Sequence, residues 1–253
     1  MIVLPNQEYA RPSGLPLAYD LIRPDSGVPP LVIFIHGGGW ISGDRSMYRD
    51  EAIWLADKGY ACALVDYRLA PLHPYPAAVE DVSTFLAYAR REHEELQIDP
   101  ARIVAIGNSA GGHLASMLGV FGPDRANAVV SISGISDLTN PEDAHLPIAM
   151  AFLEQFMGCS YLGNEDRWRE ASPIAHVSPE SPPFLVMHGD LDDIVPLAQS
   201  ERFRDALLAQ GVPVEFVRFG GEGHSFTWDG WTRIRERYLG YIEEIFGHSP
   251  SRQ

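Results

Sequence analysis

The chain has 253 residues, of which 45% are hydrophobic and 21% are charged, with a net charge of −15. The composition is that of an ordinary globular protein, and the length suffices for one domain with a large core. The acidic balance disfavours binding to nucleic acid or to anionic lipid surfaces, because the mean field repels phosphate groups. The longest apolar runs are too short to cross a membrane, and the N-terminus lacks the features of a signal peptide. We therefore expect a single cytoplasmic domain over residues 1–253.

Short β-branched runs alternate along the chain with longer segments of helical periodicity. This alternation predicts an α/β fold, with a mainly parallel sheet covered by helices on both faces. An N-terminal hairpin, Ile2–Ala10 with Leu17–Arg23, is expected to form an antiparallel edge. The central strands are predicted at residues 31–36, 61–67, 102–107, 128–133, 184–188 and 214–219.

Helices are predicted over residues 76–90, 198–210 and 231–246. The first begins with a proline, which is favoured at a helix start, and the second ends before Gly211, which is favoured at a helix stop. The apolar stripe of the first helix predicts its buried face. The residues of that stripe are Val79, Val82, Phe85, Leu86 and Ala89.

Residues 136–172 interrupt the alternation. They are too many for a simple connection and include a helix-prone segment, residues 147–158. A connection of this length in a compact domain is often a lid or binding element. We expect a small cap insertion here, with packing of one extra helix as the alternative.

The sequence GNSAGG, residues 107–112, follows the predicted strand 102–107. Its spacing, Gly107-x-Ser109-x-Gly111, fits a strand-to-helix elbow that exposes a serine hydroxyl. A small polar residue in a tight turn would give the same five residues, so this motif needs support from elsewhere in the chain.

The sequence HGGGW, residues 36–40, follows an earlier predicted strand. Its glycines let the chain turn sharply and bring backbone N–H groups close to a ligand, because they have no Cβ. In acyl transfer such N–H groups can hold the oxygen that becomes negative in the tetrahedral intermediate.

The sequence HGDLDDIVP, residues 188–196, contains three carboxylates at the end of a later strand. They fit a solvated turn or the acid that orients a catalytic histidine, whereas the ligand spacing of a calcium loop is absent. We choose Asp192 as this acid. Asp190 and Asp193 are local alternatives, and Asp137 is a more distant one.

The chain has nine histidines, and His224 lies in a glycine-rich loop after the last predicted strand. His113 is four residues beyond Ser109, where we expect it to point into packing. Ligands of open α/β sheets bind outside the carboxyl ends of the strands, and three such ends would gather Ser109, Asp192 and His224. The order serine, acid, histidine is that of the α/β-hydrolase fold.

With these motifs the chain resembles the α/β-hydrolase superfamily, and within it the serine esterases related to hormone-sensitive lipase. The matching segments are residues 36–39, 66–71, 76–81, 107–112, 188–196 and 223–224. A short N-terminus and the tryptophan after HGGG look more like small bacterial esterases similar to feruloyl and acetylxylan esterases, and like kynurenine formamidase.

The resemblance implies a carboxylic ester hydrolase for small, short-acyl esters, with an amide or formamide hydrolase as the alternative. It implies that Ser109 is the nucleophile, His224 the base and Asp192 the orienting acid. The implied oxyanion hole is formed by the N–H groups of Gly38, Gly39 and Ala110. The candidate pocket residues are Trp40, Phe152, Phe156 and Trp228, although core packing explains Trp40 equally well. No metal or organic cofactor is implied, and Cys62 and Cys159 show neither metal-ligand spacing nor a disulfide framework.

Overall fold

The computed structural model describes residues 1–139 and 144–247. Within these ranges one eight-stranded sheet has the order β1-β2-β4-β3-β5-β6-β7-β8. The strands are β1 (Ile2–Ala10), β2 (Leu17–Arg23), β3 (Pro30–Ile35), β4 (Ala61–Val65), β5 (Asp99–Asn108), β6 (Ala128–Ile132), β7 (Phe184–Gly189) and β8 (Val214–Phe219). β2 pairs antiparallel with β1 and with β4, and the other pairs are parallel. The predicted antiparallel edge and parallel centre are thus confirmed.

The helices cover both faces of this sheet. They are α1 (Arg49–Ala56), α2 (Ala77–Arg91), α3 (His93–Leu96), α4 (Ala110–Val120), α5 (Pro147–Met157), α6 (Glu165–Glu170), α7 (Ala198–Ala209) and α8 (Trp228–Phe246). Alternate residues of β3 enter two different cores: Ile33 belongs to the core beneath α2, α4 and α7, and Phe34 to the core beneath α1 and α8. Strands buried on both faces explain why their sequences are continuous apolar runs. None of the helices in the described part of the chain is both long and apolar enough to cross a lipid bilayer.

The helix boundaries follow from local chemistry. All five residues of the predicted α2 stripe are buried, as expected. α8 begins at Trp228, three residues before the predicted start, because the Thr227 hydroxyl accepts a hydrogen bond of 3.0 Å from Gly230 N and caps the helix. The prediction did not include α1, whose first turn carries Asp50 and a buried Glu51 and so obscures the apolar periodicity.

The insertion between β6 and β7 contains α5 and α6. Residues 140–143 of the predicted cap segment lie outside the described residues. α5 buries Leu153, Phe156 and Met157 and ends where Gly158 adopts a left-handed φ of 68°. The insertion therefore packs onto the domain through the apolar face of α5.

Candidate active site

Ser109 lies in a sharp turn between β5 and α4. Its backbone has φ 54° and ψ −122°, which is strained for a residue with a side chain. The turn depends on two glycines, because a Cβ at Gly107 would lie 2.2 Å from the Gly111 carbonyl oxygen and one at Gly111 would lie 2.0 Å from the Ile35 carbonyl oxygen. The GNSAGG sequence therefore forms the elbow that its spacing predicts.

His224 connects Ser109 to a carboxylate. Its Nε2 lies 3.0 Å from Ser109 Oγ, and its Nδ1 lies 2.8 Å from Asp192 Oδ2. His224 follows β8 and Asp192 follows β7, so the carboxyl ends of three parallel strands bring these side chains together. The imidazole can accept the serine proton at one nitrogen while the other nitrogen donates to the carboxylate.

The Asp192 carboxylate is fully buried and has several hydrogen-bond donors. Oδ1 accepts from the backbone N–H groups of Ile194 at 3.0 Å and Val195 at 2.8 Å, and Oδ2 lies 3.1 Å from His188 Nε2. Burial raises the pKa of this carboxyl, but contacts with His188 and His224 and the backbone hydrogen bonds outweigh burial and hold the pKa well below its usual range. Asp192 is therefore ionised at neutral pH.

The three alternative acids have other environments. Asp190 accepts hydrogen bonds from the Arg218 guanidinium and from Gly221 N. Asp137 accepts from Thr139 N at 3.0 Å, and Asp193 is exposed. Among the candidates, it is Asp192 that His224 contacts.

The loop after β3 lies against the elbow. Gly38 and Gly39 have φ values of 107° and 61°, and the Gly38 carbonyl accepts from Ile41 N and Ser42 N to close the turn. Ala110 is the first residue of α4, where a helix leaves N–H groups without intrahelical partners. The N–H groups of these three residues are the candidate oxyanion donors.

Trp40 and Phe156, two of the candidate pocket residues, are packed in the core behind this loop. They are 2% and 1% exposed, and their rings stack with centroids 4.5 Å apart. Trp40 is therefore a residue of the core, which is the alternative to a role in the pocket wall. Trp228, at the start of α8, is 81% exposed and so does not enclose a pocket.

Phe152, the fourth candidate, contacts the glycine loop itself. A Cβ at Gly39 would lie 2.8 Å from Phe152 Cδ1, so the ring lies directly on this residue. Phe152 is only partly buried. Of the four side chains, it is therefore the one that the structure places beside the candidate oxyanion donors.

His113 connects the loop, the elbow helix and the insertion. Its Nδ1 accepts a hydrogen bond of 3.1 Å from Trp40 Nε1, and its Nε2 donates one of 2.8 Å to the Ala171 carbonyl. Burial lowers the pKa of His113 to about 4, which keeps the ring neutral. Sequence reasoning placed His113 in packing but missed these hydrogen bonds, and it missed the contact of His188 with Asp192. For His113, the available signal was its position one helical turn after Ser109.

The chain is similar in sequence to proteins named esterases. Esterase LipQ of Mycobacterium tuberculosis is 33% identical over 236 residues, covering 86% of this chain and 56% of its own length. The probable carboxylic ester hydrolase LipM of the same organism is 31% identical over 245 residues, covering 88% and 57%. The chain thus spans about half the length of the curated relatives it matches.

Solved esterase structures share the fold of this protein over nearly the whole chain. Thermogutta terrifontis esterase 2 phosphonylated by sarin has a TM-score of 0.86 and 25% identity, covering 97% of this chain and 96% of the other. The esterase from the same species with butyrate bound has a TM-score of 0.84 and 26% identity, covering 97% and 95%. These similarities confirm the predicted α/β-hydrolase fold and the resemblance to its esterases. The BD-FAE family model matches residues 20–207, which is most of the chain. The chain belongs to the BD-FAE family.

Proposed function

We propose that this chain is a serine carboxylic ester hydrolase. The observation that carries the proposal is the pair of contacts made by His224, at 3.0 Å to Ser109 Oγ and 2.8 Å to Asp192 Oδ2. Relatives named esterases support the choice of an ester over the amide or formamide alternative.

In the acylation step Ser109 Oγ attacks the ester carbonyl carbon and transfers its proton to His224 Nε2. The carbonyl oxygen becomes negative and accepts hydrogen bonds from the N–H groups of Gly38, Gly39 and Ala110. When the C–O bond to the leaving group breaks, His224 returns the proton to the departing alkoxide, and an alcohol leaves. Asp192 fixes the His224 tautomer and stabilises the imidazolium.

Deacylation repeats these steps with water. His224 takes a proton from the water as its oxygen attacks the acyl carbon, and the proton then returns to Ser109 as the carboxylic acid is released. Because the oxyanion donors are backbone groups, changing the Ala110 side chain removes no donor.

We propose further that the insertion acts as a cap and that the substrate is a small ester with a short acyl chain. The Phe152 ring lies on Gly39 and leaves little room for a long chain beside the oxyanion donors. A related esterase structure holds butyrate, which agrees with this size. The single-domain organisation and the cytoplasmic location stay sequence-based predictions.

Hydrolysis of p-nitrophenyl esters of increasing acyl length by the wild type and Ser109→Ala tests the proposal. We expect the wild type to prefer short chains and the variant to lose about 10⁴-fold or more in kcat, with the fold retained. Hydrolysis by the variant at the wild-type rate would contradict the role of Ser109. Adding N-formylkynurenine to the panel tests the formamide alternative.

A further inference from the structure

His188 is a second histidine that contacts the candidate acid. It lies near the end of β7, its side chain has no exposed surface, and its Nε2 is 3.1 Å from Asp192 Oδ2. The same oxygen lies 2.8 Å from His224 Nδ1. One carboxylate oxygen is therefore shared between two imidazole rings, of which only His224 reaches Ser109.

The neighbours of His188 fix where its hydrogen lies. Besides Asp192, Nε2 faces the Val195 carbonyl oxygen at 3.0 Å. Both neighbours are acceptors only, so Nε2 must carry a hydrogen that the two oxygens share. Nδ1 lies 2.7 Å from Ser200 Oγ in α7, and a hydroxyl can donate or accept. The Nε2 hydrogen is thus present whether or not the ring is charged.

This hydrogen holds together the turn that carries the acid. Asp192 begins the turn, and its Oδ1 accepts from the N–H groups of Ile194 and Val195. His188 contacts the carboxylate at one end of the turn and the Val195 carbonyl at the other. Ser200 in turn anchors the imidazole to α7. A buried carboxylate needs such donors, because an unpaired charge in the interior is costly.

We propose that His188 is a positioning residue that holds the Asp192 carboxylate, through Nε2–H, in the orientation that accepts from His224 Nδ1. His188 acts on the reaction only through Asp192 and touches neither substrate nor Ser109. The inference rests on the proposed ester hydrolysis and deepens it.

Two amide variants of His188 separate this role from packing. In His188→Gln the amide nitrogen lies near the position of Nε2 and can replace its hydrogen bonds, whereas in His188→Asn it reaches only the position of Nδ1. We expect His188→Asn to lower kcat about ten- to a hundredfold with KM unchanged, the range for a lost hydrogen bond to a charged group. His188→Gln should stay within about threefold of wild type. Equal losses in both variants would overturn the proposal.

Combining His188→Asn with Asp192→Asn in a double mutant tests whether His188 acts through the acid. We expect His188→Asn to have no further effect on kcat in that background, since the carboxylate it holds is gone. An undiminished further loss would overturn the proposal. If neither His188 variant folds, Ser200→Ala, which removes the hydroxyl that anchors His188, is tested in their place. We expect Ser200→Ala to lower kcat in the wild type and to have no effect on kcat in the Asp192→Asn background.

A proton spectrum of the free protein gives a readout that needs no substrate. The hydrogen between His224 Nδ1 and Asp192 should resonate at low field in the wild type and in His188→Gln, and shift or broaden in His188→Asn. An unchanged resonance in His188→Asn would refute the positioning role. Failure of the proposed ester hydrolysis is distinct, because it would appear as an inactive wild type.

Discussion

The two sides of Ser109 are held in place by different kinds of interaction. On one side, the loops after β7 and β8 hold Asp192 and His224 through hydrogen bonds to a buried carboxylate. On the other side, the glycine loop is held by ring packing, with Trp40 stacked on Phe156 and Phe152 lying on Gly39.

This difference predicts different sensitivities. The polar side depends on the position of single hydrogens, so an isosteric change that leaves the volume unchanged should remove activity. The aromatic side depends on shape, so the addition or removal of carbon atoms should matter there. His113 belongs to both descriptions, because it is buried among rings and also makes two hydrogen bonds.

Among changes on the two sides of Ser109, the largest effect is expected from Asp192→Asn. The amide has nearly the shape of the carboxylate but cannot stabilise the imidazolium and favours the wrong histidine tautomer, so kcat should fall about 10³- to 10⁴-fold. Steady-state kinetics on a short-chain p-nitrophenyl ester measures the change. Asp190→Asn, two residues away in the same loop, is the matched control and should lose less than about threefold. Similar losses in the two variants would remove the distinction between these carboxylates.

Gly39→Ala tests the aromatic side by adding one methyl group. The new Cβ would lie 2.8 Å from the Phe152 ring at a backbone φ of 61°. We expect displacement of the Gly39 N–H and a loss of about 10²-fold in kcat, the size of one oxyanion donor. Addition of Phe152→Ala should restore part of the rate by making room for the methyl group.

Backbone strain has its own control in this experiment. Gly211 has a similar φ of 71° with no atom within 4 Å of an added Cβ, and it follows α7. Gly211→Ala should therefore destabilise the fold by about 1 kcal/mol and leave kcat unchanged. If adding Phe152→Ala to Gly39→Ala does not raise kcat, the contact between the Phe152 ring and the new methyl group does not explain the loss of activity.

His113→Leu should lower stability by an amount that depends on pH. At neutral pH the variant leaves Trp40 Nε1 and the Ala171 carbonyl without their partner, at a cost of about 2 to 4 kcal/mol. The pKa of His113 is about 4 in the folded wild type, whereas it has its ordinary value of 6.5 in the unfolded chain. The wild type therefore loses stability as pH falls through that window, and the variant lacks this contribution.

The free energy of unfolding in urea at pH 7.5 and pH 5 measures the effect. We expect the gap between wild type and His113→Leu to shrink by about 2 kcal/mol at pH 5. A gap of the same size at both pH values would contradict a buried neutral His113.

The sequence was most informative where the chemistry is local. The alternation of strands and helices predicted the sheet, and the two glycines of GNSAGG predicted the elbow, because close backbone approach leaves no other choice of residue. Asp192 was chosen from three carboxylates in one loop, and its contact with His224 depends on backbone donors that no residue letter reveals. The start of α8 was misplaced because a single hydroxyl, that of Thr227, caps it.

Contacts between distant segments were harder to predict. Trp40 is a pocket candidate because it follows the HGGG loop, and Phe156 because it lies in the predicted cap, yet their rings stack on each other in the core. His113 shows the same difficulty, since its partners Trp40 and Ala171 lie 73 and 58 residues away along the chain. Side-chain identity gives the size and polarity of a group, but the partner depends on how helices pack on the sheet.

The smallest effect is expected from Phe152→Ala, and it concerns selectivity. Removing the ring from Gly39 should lengthen the space for the acyl chain, so kcat/KM for an octanoyl ester relative to a butyryl ester should rise about tenfold. Phe156→Leu is the matched control in the same helix, because Phe156 is packed on Trp40 and should affect stability without changing the ratio. If both variants shift the ratio equally, general loosening of α5, and not the contact at Gly39, sets the acyl preference. A shift of this ratio in Phe152→Ala alone would show that the aromatic side determines the acyl-length preference, whereas the polar side carries out the proton transfer.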